Sequence, residues 1–78
     1  MRLMLFGTSG CHLCEQAEII VNECVPDGVE HVDIAEQEQW QERYALRIPV
    51  LYDSETKQEL DWPFDLTEVE DFVSRLVA

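Results

Sequence analysis

Two cysteines, Cys11 and Cys14, stand three positions apart in the stretch Thr8-Ser9-Gly10-Cys11-His12-Leu13-Cys14, and they are the residues of this chain best suited to do chemistry. On a helix that spacing puts two side chains about one turn apart, so the sulfurs can bond with little movement of the backbone. The flanks say where the pair sits. An apolar run, Leu3-Met4-Leu5-Phe6, reads as a buried strand, while Leu13, Ala17, Ile20, Val21 and Cys24 recur at helical spacing. Cys11 therefore falls at a helix start, with Ser9 or Thr8 available as the cap. There, unpaired backbone N–H groups and the positive end of the helix dipole favour a thiolate over a thiol. The expectation is a Cys11 nucleophile active near neutral pH, resolved by Cys14. His12 has two readings: a positive charge that tunes the Cys11 pKa, or a solvated side chain of the first turn.

Two other readings of the cysteines compete, inert thiols and a metal site. Zinc wants four ligands around one point, and the available set is Cys11, Cys14, Cys24 and His31. If residues 13–24 are one helix, Cys24 lies about 15 Å from Cys14 at 1.5 Å per residue, so no metal site is expected. Cys24 falls on the apolar stripe of its helix and reads as a small hydrophobe. His31 reads as an edge-strand surface residue. An odd count of three cysteines excludes a fully paired framework within one chain and suits a reducing compartment, the cytoplasm. No segment approaches the ~20 apolar residues of a membrane span, and the first apolar stretch is too short for a signal peptide.

Charge narrows the partners. Seventeen carboxylates against five basic residues (Arg2, Arg43, Arg47, Lys57, Arg75) give a net charge of −12, so nucleic acid is not an expected partner. The same charge disfavours anionic disulfides such as that of glutathione and favours basic or neutral protein partners, unless it serves solubility alone.

The elements that must position the cysteines can be read in order. The first helix ends at Val25-Pro26-Asp27-Gly28, a turn sequence. Val29 to Ile34 mixes polar and apolar residues on both faces, as an edge strand does. Glu36 to Leu46 is rich in helix formers, with Trp40 and Tyr44 four apart as anchors and Gln39 facing Arg43. Arg47-Ile48-Pro49-Val50-Leu51-Tyr52 opens a third strand with proline at its first position, and residues 50–62 look like a β-hairpin. Asp65-Leu66-Thr67-Glu68 has the form of a capping box. Leu66, Val69, Phe72, Val73, Leu76 and Val77 then form an apolar stripe. The order is β-α-β-α-β-β-α, a single α/β domain over residues 1–78 with a four-stranded mixed sheet flanked by three helices.

A C-x-x-C after the first strand, with Ile48-Pro49-Val50 at the start of the third, resembles the thioredoxin-like superfamily, and small glutaredoxin-like proteins most of all. The resemblance covers essentially the whole chain. It implies a thiol–disulfide oxidoreductase with Cys11 and Cys14 as catalytic residues, acting on a disulfide-containing protein or glutathione, with electrons from a separate reductant. It also implies that Pro49 is cis and lies beside the nucleophile, and that Ile48 offers backbone groups to an extended substrate. Arg47 and Asp65, with Leu66, stand where glutathione anchors are expected. No tightly bound cofactor is implied, and glutathione stays open as a reductant. A monomer is expected. The chain departs from the glutaredoxin pattern in carrying His12-Leu13 between the cysteines, no lysine before them, and Asp61-Trp62-Pro63-Phe64-Asp65 in place of a Gly-Gly-x-Asp-type turn. Two alternatives from other classes are a non-catalytic interaction module working through the Ile48-Pro49 groove, and a glutathione-binding or iron–sulfur-bridged dimer using Cys11.

Overall fold

Alternation along the first strand decides the architecture. In the computed structural model, which describes residues 1–77, β1 (Leu3–Gly7) sends Leu3 and Leu5 to one face of a sheet and Met4 and Phe6 to the other, so both faces are covered. β1 lies inside a four-stranded sheet of order β2-β1-β3-β4. It runs parallel to β2 (Glu30–Asp33) and antiparallel to β3 (Val50–Asp53), which in turn pairs antiparallel with β4 (Gln58–Asp61). The β3–β4 pair is the hairpin expected from residues 50–62, and β2 is an edge strand as its mixed pattern indicates.

On one face Leu3, Leu5 and Leu51 pack with Ala17 and Val21 of α1 (His12–Cys24), with Phe64, and with Val69 and Phe72 of α3 (Leu66–Val77). The two helices also pack on each other. The other face is aromatic. Phe6, Tyr44 and Tyr52 cluster with Trp40, and the Phe6 and Tyr44 rings stack at 4.6 Å. Tyr44 and Phe6 are fully buried, so the anchor role expected for Tyr44 holds, with Trp40 half-buried beside it.

The second helix is a correction. The expected Glu36–Leu46 helix divides into a single 3-10 turn, Ile34–Glu36, and α2, Glu38–Tyr44. The Asp33 carboxylate accepts from Ala35 N at 2.9 Å and starts the tight turn at the end of β2. Gln37 is then extended (φ −132°, ψ 101°), and α2 begins afresh after it. Arg43 of α2 also reaches across to the sheet, its guanidinium 3.6 Å from Glu59 on β4.

At α3 the capping box is realised in both directions. Glu68 N donates to Asp65 Oδ1 at 2.8 Å, and Asp65 N donates to Glu68 Oε1 at 3.2 Å. Of the apolar stripe, Val69 and Phe72 are buried and Val73 and Leu76 pack against the core, while Leu66 and Val77 stay exposed at the helix ends.

Candidate functional site: the Cys11–Cys14 pair

β1 delivers the chain to the site. After Gly7 the turn Thr8-Ser9-Gly10 carries Gly10 at φ +75°, a left-handed conformation that glycine adopts without a Cβ penalty, and Cys11 follows. Cys11 itself is the N-cap of α1, correcting the expectation of Ser9 or Thr8. Its backbone is extended (φ −90°, ψ 108°) and its sulfur accepts from Cys14 N at 3.1 Å. The Cys11 sulfur thus satisfies one of the helix's free N–H donors, a tighter coupling than residence in the first turn alone.

The Cα atoms of Cys11 and Cys14 are 5.2 Å apart, inside the range for a disulfide, and the two sulfurs are bonded. Both residues are half-exposed. Gly7 was not singled out by sequence reasoning, yet it sets how closely the strand approaches the pair. A Cβ there would lie 3.1 Å from Cys14 Sγ and 3.2 Å from Cys14 Cβ, tighter than ordinary contact. A glycine closing a strand just before the motif was the available signal.

A cavity of about 360 Å³ opens beside the disulfide and is bordered by Glu15, Glu18, His31 and Asp33 as well as by both cysteines. Register explains this. Gly7 pairs with Asp33 and Leu5 with His31, so the end of β2 lies next to the end of β1. His12 points away from a buried role: its side chain is 84% exposed, with Nδ1 3.9 Å from Glu15.

Pro49 is fully buried one residue before the Phe6–Val50 pair, which puts it at the end of the sheet that carries Gly7 and the motif. The Ile48–Pro49 peptide bond is cis, and so is Trp62–Pro63. Ile48 is half-buried on the aromatic face, and the Pro49 carbonyl accepts from Trp62 N at 3.2 Å. Trp62 packs edge-on against Phe64, the rings 5.0 Å apart.

Arg47 and Asp65 already have partners. Arg47 Nη2 lies 2.7 Å from Asp61 Oδ1 and 2.9 Å from Glu59 Oε1, and Nε lies 3.2 Å from Asp61 Oδ2. These hydrogen bonds hold the guanidinium pKa above its ordinary value. Glu59 also accepts from the Tyr44 hydroxyl. Burial pushes the Glu59 carboxyl up, but the hydrogen bonds from Tyr44 and Arg47 outweigh it and the net shift is downward. Burial, aided by the Glu59 hydrogen bond and charge, holds the Tyr44 phenol above its usual range. Asp65 is exposed and its Oδ1 serves the α3 cap. Sequence spacing could not reveal the Arg47 pairing, because Glu59 and Asp61 come from a strand more than ten residues on.

The third cysteine, Cys24, is half-buried against the α1/α3 core, and burial followed by the Glu70 charge raises its thiol pKa. Among the described residues no group of three or more His, Cys, Asp or Glu side chains could hold a metal ion, and no helix is long and apolar enough to cross a membrane.

A mixed sheet of this order, with bonded cysteines where the first strand meets the first helix, defines a thioredoxin-like domain. The chain belongs to the glutaredoxin-like domain family (DUF836), whose family model matches residues 2–74. Its fold is similar to the X-ray structure of the structural-genomics target XcR50 from X. campestris, with a TM-score of 0.84, 33% identity, and coverage of 94% of this chain and 96% of that one. The solution structure of XcR50 gives a TM-score of 0.83 at 33% identity, covering 96% of this chain and 95% of that one. The solution structure of Ne2328 from Nitrosomonas europaea gives a TM-score of 0.74 at 25% identity, covering 91% and 88%. No curated protein matches the chain.

Proposed function

We propose that the protein is a thiol–disulfide oxidoreductase. In its dithiol form the Cys11 thiolate attacks one sulfur of a substrate disulfide, and the other sulfur leaves and takes up a proton. Cys14 loses its proton and attacks the Cys11 sulfur of the mixed disulfide, expelling the second substrate thiol. Two electrons have then passed to the substrate, and the Cys11–Cys14 disulfide is the product state. A separate reductant restores the dithiol.

The observation that carries this reading is the bonded pair at the start of α1 with Cys14 N on the Cys11 sulfur, half-exposed beside an open cavity. The same N–H and the helix terminus would stabilise the thiolate once the bond opens. His12 adds to this only when it is protonated. The Ile48 carbonyl supplies the acceptor with which an extended segment of a protein substrate pairs beside Pro49; Ile48 N already donates to Tyr44 O at 3.0 Å and the Pro49 carbonyl accepts from Trp62 N. With Arg47 in ion pairs and Asp65 in the α3 cap, neither residue is required to grip the reductant. The odd, weakly acidic Cys24 fits work as a monomer in a reducing cytoplasm.

Insulin reduction by dithiothreitol is the direct assay. Wild-type protein accelerates it and Cys11→Ser does not; equal rates for the two would refute the proposal.

A further inference from the structure

The charges are not spread evenly along the sheet. At the end that carries the disulfide, the cavity beside Cys11 and Cys14 is bordered by Glu15, Glu18 and Asp33, with no lysine or arginine among its lining residues. Arg47, two residues before Pro49, is held by both Asp61 and Glu59, and Arg43 lies 3.6 Å from the same Glu59. Lys57 lies in the β3–β4 turn and Arg2 just before β1, at the opposite end of the sheet, where Leu3 pairs with Asp53. Arg75 lies in the last turn of α3, 3.8 Å from Asp71.

Building on the oxidoreductase reading, we propose that this end selects its disulfide by charge: it takes cationic disulfides, such as those flanked by lysine or arginine in a peptide, and rejects anionic ones such as glutathione disulfide. Glu15, Glu18 and Asp33 draw a positive substrate to the reacting sulfurs. Asp61 removes the charge that would otherwise greet a carboxylate. In each exchange the dithiol is oxidised to Cys11–Cys14 and the substrate S–S is reduced to two thiols, with the two dithiol protons passing to them. Steering by such a field raises encounter rates for the complementary charge and fades as salt shortens its range.

Reduced protein, freed of reductant, is mixed at about pH 8, above the ordinary imidazole range, with cystamine (cationic), hydroxyethyl disulfide (neutral) or dithiodipropionate (anionic). Each rate is divided by that of dithiothreitol with the same disulfide, which removes differences in leaving-group chemistry. At about 0.1 M salt the normalised rate for cystamine exceeds that for dithiodipropionate by roughly tenfold, and the ratio falls below about threefold near 1 M. The triple variant Glu15→Gln, Glu18→Gln, Asp33→Asn lowers the ratio. Glu23→Gln, Asp27→Asn, Glu70→Gln, which removes the same charge around the far end of α1, lowers it less. Asp61→Asn speeds the anionic probe. Equal normalised rates for the three probes, a ratio indifferent to salt, or equal effects of the two triple variants would overturn charge selection while leaving the oxidoreductase reading intact. No exchange with any probe would instead defeat the oxidoreductase reading, and this inference with it.

Discussion

The two ends of the sheet use one physical device for different purposes. At the motif end the Cys11 sulfur accepts from Cys14 N; at the other end the Asp53 carboxylate accepts from Arg2 N at 2.7 Å, Thr56 N at 3.1 Å and the Thr56 hydroxyl at 2.7 Å. In both places an acceptor three residues before its donor closes a turn next to a strand. The difference is burial and chemistry. Asp53 is fully buried, whereas Cys11 is half-exposed and its sulfur is bonded to Cys14 while still accepting from Cys14 N. A fold-holding cap and a reactive cap are told apart by access to water and by sulfur's ability to form a bond.

That comparison is broken most severely at the cysteines. Cys11→Ser removes the nucleophile, and disulfide exchange falls by a factor on the order of a hundred or more in the insulin assay. Cys14→Ser keeps the attack but loses resolution, so mass spectrometry finds protein trapped as a mixed disulfide with its substrate.

At the other end Asp53→Ala leaves the Arg2 and Thr56 donors without their acceptor in a buried site and costs about 3 kcal/mol in urea unfolding, with disulfide exchange retained. The same residue predicts a pH dependence. Burial pushes the Asp53 carboxyl up, but the hydrogen bonds from Arg2, Thr56 and Glu55 outweigh it, so its folded-state pKa lies below the unfolded value. Its stabilisation is therefore fully present above about pH 4 and is lost as pH falls through the lower folded-state pKa. Urea titrations from neutral to acid pH check this: the wild-type curve drops more steeply below about pH 4 than that of Asp53→Asn.

Between the two ends, Tyr44→Phe removes the donor to Glu59 without opening a cavity and costs about 1.5 kcal/mol by the same unfolding measurement. The smallest effect is at the α3 cap, where Asp65→Ala costs about 1 kcal/mol. If Asp65 served a ligand as well as the helix, that variant would also alter exchange with glutathione; unchanged exchange limits it to capping.

Much of this arrangement is legible in the sequence because it is local. The helix over Leu13–Cys24, the hairpin around Asp53–Thr56 and the Asp65–Glu68 box each follow from spacings of a few residues, and the structure contains all three. What was misread depends on groups that propensity does not weigh. Glu36–Leu46 is rich in helix formers, but the Asp33 side chain starts a 3-10 turn and Gln37 extends, so the helix cannot run through. Ser9 and Thr8 are the better capping residues by type, yet Gly10 turns the chain so that Cys11 arrives at the cap. The ion pairs of Arg47 are likewise not legible from local spacing, because Glu59 and Asp61 reach it only through the hairpin.

The central claim is that the helix start makes Cys11 an acidic thiol, and its alkylation rate against pH tests this most directly. Reduced protein is pulsed with iodoacetamide from pH 4 to pH 10, and peptides carrying Cys11, Cys14 and Cys24 are quantified by mass spectrometry. The account predicts that Cys11 labels first, with a midpoint below the free-thiol value of about 8.5, and that Cys24 labels last. A Cys11 midpoint at or above about 8.5 would contradict it.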